Sequence, residues 1–389
     1  MRRRYSRQIL TVLSLLCLLA GLKAQDGDRS GLRRTLMELI DSAWTHGLDS
    51  GHYALGRQNL LLDEGSWADV AFGFLKDLRS GYGIPELISY DGISPGYVNR
   101  EDGELAARLA KVNTDAELRE LAASFVPRSA IYDTLRAALV GASCNPNKAR
   151  QLAAALNLYR WIHHFHWRRC IVVNIATAEL SYFEQDTIRL RMRIVAGEPS
   201  KRTPRLAAWC DQVVLYPYWN IPRKIAVNEF LPLFRISPRL AETMNIQLFD
   251  RNGKVVEPTA ISWWRWTKDN FPYSMRQSTG CDNALGVIKF NLTSPFDVYM
   301  HDTNFKLAFL RTYRWLSHGC MRLEKPLELG NLLLDHQLDT AFLESCLRDQ
   351  QPRSIRLEAP VPVFVIYQTA VTGEGGKLRM VKDIYHLMN

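Results

Sequence analysis

The chain of 389 residues is poor in cysteine, with seven in all. They are scattered along the chain, whereas a small scaffold built on disulfides has them closely and regularly spaced, and that class is therefore excluded. Six cysteines lie beyond the N-terminal leader, and the sequence alone does not show which of them pair. These six are Cys144, Cys170, Cys210, Cys281, Cys320 and Cys346.

The chain also lacks a large excess of charge. The formal net charge is +9, but the first 24 residues hold four arginines and one lysine and no acidic residue. Subtracting these five positive charges leaves about +4 for residues 25–389, spread thinly along the chain. The electrostatic footprint of a nucleic-acid-binding protein is therefore missing, and no nucleic-acid partner is expected.

The apolar run Ile9–Leu22 near the N-terminus is too short to span a bilayer comfortably. Basic residues precede it, and the small residues Gly21 and Ala24 follow it at positions that suit signal peptidase. We therefore predict an export signal over residues 1–24, with a retained membrane anchor as the alternative. Lipid attachment at Cys17 is disfavoured because Leu16 is large where such sites need a small residue.

The remaining residues divide into two halves of different periodicity. Apolar residues at three- and four-residue spacing predict a helical scaffold domain over residues 25–168. Its helices are expected at 31–46, 65–80, 102–123, 128–141 and 148–165. No motif in this half carries recognisable chemistry.

At Cys170 the period changes to that of strands. Ile171–Ile175 is continuously apolar, Glu179–Phe183 is a second expected strand, and Thr187–Val195 alternates strictly. The last two flank a short polar turn around Gln185 and Asp186, which predicts a β-hairpin. Further strands are expected at 212–216, 286–291, 297–300, 354–358 and 361–367, with helices near 326–335 and 338–348. The fold class is thus α+β, a helical scaffold followed by a mostly β, sandwich-like domain over 169–348. C-terminal strands over 349–389 are expected to pack on one of these two domains.

Residues 221–281 interrupt the strands of the second half with a helical and then aromatic-rich segment. Its aromatic residues are expected to form a small core of their own, because burial is the usual role of such clusters. An inserted segment of this kind can also act as a lid over an active site. The aromatic residues are Trp263, Trp264, Trp266, Phe271 and Tyr273.

The stretch Trp315–Glu324, WLSHGCMRLE, holds the residues with the clearest chemistry. A thiol attacks a carbonyl only as thiolate, so Cys320 needs an imidazole to take its proton. His318 is near in sequence and His301 lies nineteen residues upstream, and closeness along the chain does not decide between them. Gly319 allows a tight turn in which its own N–H and that of Cys320 could face an oxyanion.

These residues resemble the YkuD-type catalytic domain of L,D-transpeptidases. That family carries a histidine followed some fifteen to twenty residues later by Ser/Thr-His-Gly-Cys, an apolar residue and Arg or Asn, which His301 and Ser317–Arg322 match. The resemblance covers roughly residues 170–345 and is that of larger, periplasmic members with a helical scaffold and a capping insertion. Further matching blocks are Val172–Ile175, Thr203–Pro204, Tyr216–Pro222, Asn283–Gly286, Lys289–Asn291 and Tyr299–Thr303.

The resemblance implies a peptidoglycan enzyme in the periplasm. Cys320 would attack the third residue of a donor tetrapeptide, expel D-alanine and leave a thioester, which an amine of an acceptor stem would convert into a 3→3 cross-link. His301 would move the proton, oriented by a backbone carbonyl or by Asp302, while His318 and Gly319 would line the oxyanion side. Tyr299, Trp219 and Arg322 would shape the pocket, Arg322 by holding a substrate carboxylate or by tying down its loop. No cofactor is implied, and acylation by carbapenems is expected.

The resemblance is incomplete in two places. Many large members place a peptidoglycan-binding repeat between scaffold and catalytic domain, whereas here the helix ending near Phe165 runs almost directly into the strand at Cys170. The segment 231–262 matches the usual cap weakly. The helical half remains a candidate surface for envelope protein partners.

Two other functions remain open from the sequence. His301, His318, Cys320 and Asp302 could ligate zinc in a wall peptidase, although no paired zinc spacing such as H-E-x-x-H occurs. A non-catalytic envelope scaffold is the third hypothesis. For Cys144, Cys170, Cys210 and Cys346, a core or disulfide role is the default.

Overall fold

The computed structural model describes residues 30–61, 67–84, 95–142, 144–185, 187–347 and 350–388. The predicted export signal lies outside these residues. The chain forms two compact units, one of residues up to Arg168 together with Ile366 onward, the other of Arg169–Val365. Among the described residues, no helix has the length and apolar character needed to cross a membrane.

The first unit is helical, as its sequence periodicity predicts. Short 3₁₀ turns at Ala43–His46 and Ser50–Tyr53 follow the first helix. Leu36, Ile40, Trp67 and Leu75 are almost completely buried in the core between the helices. The helices are α1 (Ser30–Asp41), α2 (Ala54–Leu61), α3 (Trp67–Ser80), α4 (Pro95–Leu109), α5 (Asp115–Ser124), α6 (Ala130–Val140) and α7 (Pro146–His163).

The single helix predicted over 102–123 is wrong, because the structure has two helices there, α4 and α5. The break is a capping box at Thr114. Its hydroxyl accepts the N–H of Glu117 at 3.3 Å, and the Glu117 carboxylate accepts the N–H of Thr114 at 3.0 Å. This exchange satisfies N–H groups that the first turn of a helix leaves unpaired, so a new helix begins at Asp115.

The last residues of the chain return to the helical unit. The Gln368 side chain donates to the carbonyl oxygen of Gln151 at 3.1 Å, and Ala370 is buried beside Tyr132 and Leu152. The hairpin β14–β15 follows, at Ala370–Thr372 and Leu378–Met380, with the 3₁₀ turn Glu374–Gly376 between its strands.

The second unit is built on strands, with helices α11 (Pro326–Leu333) and α12 (Thr340–Glu344) near its end and a 3₁₀ turn at Lys306–Leu310. Its main sheet has the strand order β11-β3-β12-β10-β9-β4-β13-β1-β2, and β2 also pairs with β3, so the sheet closes on itself. The nine strands are β1 (Arg169–Asn174), β2 (Glu179–Glu184), β3 (Thr187–Gly197), β4 (Leu206–Leu215), β9 (Ile288–Leu292), β10 (Met300–His301), β11 (Trp315–Ser317), β12 (Met321–Leu323) and β13 (Arg353–Ile366).

Strand β13 corrects a second expectation, since the strands predicted at 354–358 and 361–367 are one strand. Its pairing with β4 shifts register between Arg356 and Val361. Pro360 lies at this irregularity and has no N–H to donate, which is a common reason for a bulge within a continuous strand.

The strands β9, β10 and β12 are neighbours and position the site. Phe290, Met300 and Met321 pair across them and are completely buried, so this row faces the core. Because side chains alternate along a strand, the next row faces the opposite side. That second row is Lys289, His301 and Arg322.

The inserted segment forms a small subdomain with its own core, as predicted. Trp263 and Phe271 are buried with Phe230 and Phe234, whereas Trp264 is exposed. The helical part contains a π-helical turn at Ala226–Phe230. The remaining elements are α8 (Arg223–Ile225), α9 (Leu231–Ile236), α10 (Leu240–Thr243), 3₁₀ turns at Pro258–Ala260 and Trp263–Arg265, and a sheet of β5 (Trp219–Asn220), β8 (Ser274–Gln277), β6 (Ile246–Phe249) and β7 (Val255–Val256).

Candidate active site

Cys320 lies in a tight turn between β11 and β12. Gly319 has φ of 122°, a value that favours glycine. The Ser317 hydroxyl accepts the Gly319 N–H at 3.1 Å and donates to the Cys320 carbonyl oxygen at 2.6 Å. From the other side, the Thr203 hydroxyl donates to the Gly319 carbonyl oxygen at 2.8 Å. These bonds fix the backbone that carries the thiol.

The same hydrogen bonds correct one expectation about the oxyanion side. The Gly319 N–H is already donated to Ser317, so it does not face the cavity as expected. The backbone N–H of Cys320 donates to no atom among the described residues. Only this second N–H of the expected pair is therefore available to an oxyanion.

His301 is 4% exposed and lies at the end of β10. Its Nδ1 is 2.5 Å from the backbone carbonyl oxygen of Asp302. A carbonyl only accepts hydrogen bonds, so Nδ1 carries the proton and Nε2 of the neutral ring is a proton acceptor. Of the two orienting groups that the sequence left open, the structure uses the backbone carbonyl.

The Asp302 carboxylate stabilises the loops around His301. It accepts the N–H of Val287 at 3.1 Å and is paired with Lys306. Gly286 makes room for it, because a Cβ at this position would lie 2.1 Å from Asp302 Oδ2. Gly286 also has φ of +59°, which glycine adopts without strain.

The Cys320 sulfur is reachable through the cavity but has protein on most sides. This desolvation raises the pKa of the thiol above its ordinary value, and the Tyr299 N–H and hydroxyl and the charges of Lys289 and Arg322 act in the opposite direction. The Sγ lies 3.7 Å from the carbonyl oxygen of Asp297. In the resting enzyme the thiol is thus protonated and donates to this carbonyl.

The imidazole is neutral as well. Burial lowers the pKa of His301 to about 3, and the charge of Arg322 and more weakly that of Lys289 add to this effect, against the hydrogen bond to Asp302. The ring of His301 lies with its centroid 5.5 Å from that of Tyr299, whose pKa is raised by burial. The resting pair is therefore thiol and imidazole, and charge separates only when the thiol is deprotonated.

Both residues line one cavity of about 1070 Å³. Its floor is formed by the sheet and one wall by the inserted subdomain. Every side chain predicted for the site, apart from Gly319, is in its lining. The predicted residues found there are Trp219, Tyr299, His301, His318, Cys320 and Arg322.

His318 lies at the rim of this cavity, half-buried, with Nε2 2.6 Å from Glu229 Oε1. Glu229 belongs to the π-helical turn of the insertion and also lies 4.0 Å from Lys201 Nζ. The insertion is thus joined to the cysteine motif by a carboxylate. No sequence pattern indicated Glu229, which lies between the matching block Tyr216–Pro222 and the weakly matching segment 231–262.

Lys289 is a second residue that the sequence analysis did not assign. It lines the cavity, pairs across the strands with His301, and places Nζ 3.9 Å from the centroid of the Tyr299 ring. Its alternation with the apolar Ile288 and Phe290 was the available signal, since it puts the lysine on the face opposite to the core.

Cys281 and Cys346 form a disulfide, and Cys144, Cys170, Cys210 and Cys320 are not disulfide-bonded. The four side chains considered for zinc do not converge, since His318 turns to Glu229 and Asp302 to Lys306. No three His, Cys, Asp or Glu side chains of the described part of the chain are placed to hold a metal together.

A cysteine outside any disulfide and a neutral imidazole that line one cavity are typical of enzymes that transfer acyl groups through a thiol. Residues 168–343 match the sequence profile of the YkuD family, described as the L,D-transpeptidase catalytic domain. This part of the chain is therefore similar in sequence to the catalytic domain of L,D-transpeptidases.

A curated relative, named "Putative L,D-transpeptidase" from Haemophilus influenzae, is 34% identical over 240 residues. The alignment covers 61% of this chain and 48% of the relative, so the chain spans about half the length of that protein.

Solved structures with detectable similarity include an L,D-transpeptidase from Mycobacterium smegmatis, at 12% identity and a TM-score of 0.24 over 51% of this chain and 58% of that one. Another is the catalytic domain from E. faecium L,D-transpeptidase acylated by ertapenem, at 11% identity and a TM-score of 0.24, covering 51% of this chain and 97% of that one. The similarity to this family rests on the sequence match.

Proposed function

We propose that the protein is an L,D-transpeptidase that cross-links peptidoglycan stems through a thioester on Cys320. The observation that carries this proposal is the common cavity in which an unpaired Cys320 and a His301 with a free Nε2 both lie. The similarity to the L,D-transpeptidase catalytic domain supports peptidoglycan peptides as the substrate class, and the donor tetrapeptide and the acceptor stem are part of the proposal.

The acylation step follows from the hydrogen bonds of the site. Cys320 turns from the Asp297 carbonyl, gives its proton to His301 Nε2, and Sγ bonds to the carbonyl carbon of the third stem residue. The N–H of Cys320 donates to the oxyanion. The bond to the terminal D-alanine then breaks, and His301 passes its proton to the leaving nitrogen. The enzyme is left as a thioester with free D-alanine beside it.

In the deacylation step, His301 first accepts a proton from the attacking amine and then returns it to Cys320. The side-chain amine of a diamino acid on the acceptor stem attacks the thioester carbon, and His301 Nε2 takes a proton from that amine. Cys320 leaves as the thiolate, recovers the proton from His301, and a 3→3 cross-link is released. The same thiol would open the β-lactam ring of a carbapenem and remain acylated, which makes such compounds inhibitors.

We place the enzyme in the periplasm. The predicted export signal over residues 1–24 motivates this proposal, and the disulfide Cys281–Cys346 supports it, since such bonds persist in oxidising compartments. Envelope proteins that bind the helical unit are a second proposal of the same kind. Fractionation of cells expressing the full chain tests the first, and enrichment of the protein in the cytoplasmic fraction would contradict it.

The activity is tested with disaccharide-tetrapeptides and the exported form of the protein. We expect a cross-linked dimer short of one alanine from the parent and none from Cys320→Ala. A chelator should leave the yield unchanged, whereas loss of activity with chelator would favour a zinc peptidase. Unchanged products from Cys320→Ala would refute the proposed nucleophile.

A further inference from the structure

Two cations flank the proposed base directly. His301 pairs with Lys289 on β9 to one side and with Arg322 on β12 to the other. Residues opposite one another on adjacent strands have Cβ atoms about 5 Å apart and point to the same face. All three side chains line the cavity. Lys289, His301 and Arg322 therefore form one row, which we call the cationic row.

Neither cation of this row has a carboxylate partner among the described residues. Three neighbouring carboxylates are paired elsewhere, Asp302 with Lys306, Glu324 with Arg193 and Glu229 with His318. A fourth, Asp297, also lines the cavity, and within the described structure it forms no ion pair with Lys289 or Arg322. The side chains of Lys289 and Arg322 also form no hydrogen bond with any described residue. Burial lowers the pKa of both groups, so their charge is incompletely solvated. An anion entering the cavity would offset this cost.

The hydrogen bonds of the cysteine turn bear on the role of Arg322. The sequence left two roles open, binding a substrate carboxylate or tying down its loop. The turn at Gly319 is held by Ser317 and Thr203, and within the described structure no bond from the Arg322 side chain contributes to it. The geometry favours the first role.

The chemistry of the donor identifies the anion. His301 must reach the nitrogen of the leaving D-alanine, and the carboxylate of that residue is attached to the carbon next to this nitrogen. The carboxylate therefore lies beside the imidazole whenever the scissile bond is in place, and Lys289 and Arg322 stand on either side of the imidazole. A bidentate guanidinium and an ammonium are suitable partners for a carboxylate.

We propose that Lys289 and Arg322 form a subsite for the terminal carboxylate of the donor stem, and that an occupied subsite enables His301 to accept the thiol proton. This inference rests on the proposed function and concerns the leaving residue alone. The carboxylate undergoes no covalent change, and the proton still passes from Sγ to Nε2 and then to the leaving nitrogen.

The effect of an occupied subsite on His301 follows from the charges around the imidazole ring. With the subsite empty, a protonated His301 would be the third positive charge in the cationic row, and like charges directly opposite one another are unfavourable. The Tyr299 ring and the Asp302 carbonyl also lie next to the imidazole, and the Cys320 thiol lines the same cavity. A carboxylate between Lys289 and Arg322 cancels part of their charge. A free carboxylate should therefore raise kcat as well as lower KM.

The test compares two donors, a disaccharide-tetrapeptide ending in D-alanine and the same compound ending in D-alaninamide. For the parent we expect kcat/KM to be about 10- to 100-fold higher for the acid, the range typical of a lost charged hydrogen bond. Lys289→Met and Arg322→Met should each reduce this ratio several-fold, and the double variant should bring it near unity. Lys289→Arg should keep most of it, and Lys254→Met, an exposed lysine of the insertion, is the matched control.

The ratio is measured on one sample of each variant, so a misfolded fraction cancels and a purely structural role leaves the ratio unchanged. A parent that processes both donors equally would overturn the subsite, as would a ratio that survives in the double variant. A discrimination seen in KM alone would refute the effect on His301. A parent that processes neither donor would refute the proposed function itself, and the subsite with it.

Discussion

Substitution of Gly286 by alanine tests how the loop before β9 positions His301. The added Cβ would lie 2.1 Å from Asp302 Oδ2 and 2.6 Å from Asp302 Cβ, so the carboxylate has to move. It would then lose the Val287 N–H and the ion pair with Lys306. The Asp302 carbonyl that orients His301 belongs to the same residue.

The expected loss of stability in Gly286→Ala has two contributions. An alanine held at φ of +59° costs about 1–2 kcal/mol. Displacing a buried carboxylate from its hydrogen-bond donors costs roughly 1–3 kcal/mol more. We expect Gly286→Ala to lower the free energy of unfolding by about 2–5 kcal/mol.

Gly253→Ala is the matched control. Gly253 also has a positive φ, +77°, but a Cβ there meets no atom within 4 Å. Only the conformational cost of about 1–2 kcal/mol should appear. Urea denaturation of both variants gives the stabilities, and the rate at which a carbapenem acylates Cys320 reports on the site. Equal losses of stability, with an unchanged acylation rate in Gly286→Ala, would refute the role assigned to Asp302.

Three further predictions follow from other parts of the second unit. The pKa of His301 is about 3 in the folded protein and 6.5 ordinarily, so between these values the unfolded chain binds one more proton and the free energy of unfolding falls as the pH falls. In urea denaturation between pH 6 and 4, His301→Gln should remove about 1.4 kcal/mol per pH unit from that dependence. An unchanged dependence would contradict the neutral imidazole. Replacing Cys281 and Cys346 by serine should cost about 4 kcal/mol in a urea titration, given a separation of 65 residues, and an unchanged midpoint would show that the bond does not form. Glu229→Gln should change the free energy of unfolding by under about 1 kcal/mol, because its ion pair with His318 is partly exposed, but it should raise the KM for the donor. A KM equal to that of the exposed control Glu257→Gln would exclude a substrate role for the carboxylate of the insertion.

The sequence predicted what local patterns determine. Alternation and apolar runs located β1 to β3, and the cysteine motif with His301 identified two residues that the fold brings into one cavity. The extra helix boundary at Thr114 was missed because the apolar spacing continues across it, while the cap that starts α5 is a polar exchange between Thr114 and Glu117.

What the sequence could not show is register and long-range pairing. Lys289, His301 and Arg322 come together only because β10 is antiparallel to β9 and parallel to β12. A shift of one residue in either pairing would turn the partner to the core face. The disulfide between Cys281 and Cys346 and the contact of Glu229 with His318 depend in the same way on elements distant in the chain.

The central claim, that Cys320 carries the acyl group, is tested most directly by the mass of the intact protein during turnover. A sample quenched in acid after brief exposure to a disaccharide-tetrapeptide should show the protein plus a disaccharide-tripeptide acyl group, labile to hydroxylamine and located by digestion on the peptide containing Cys320. One equivalent of D-alanine should appear with it. Turnover without any adduct, or an adduct on another residue, would contradict the account.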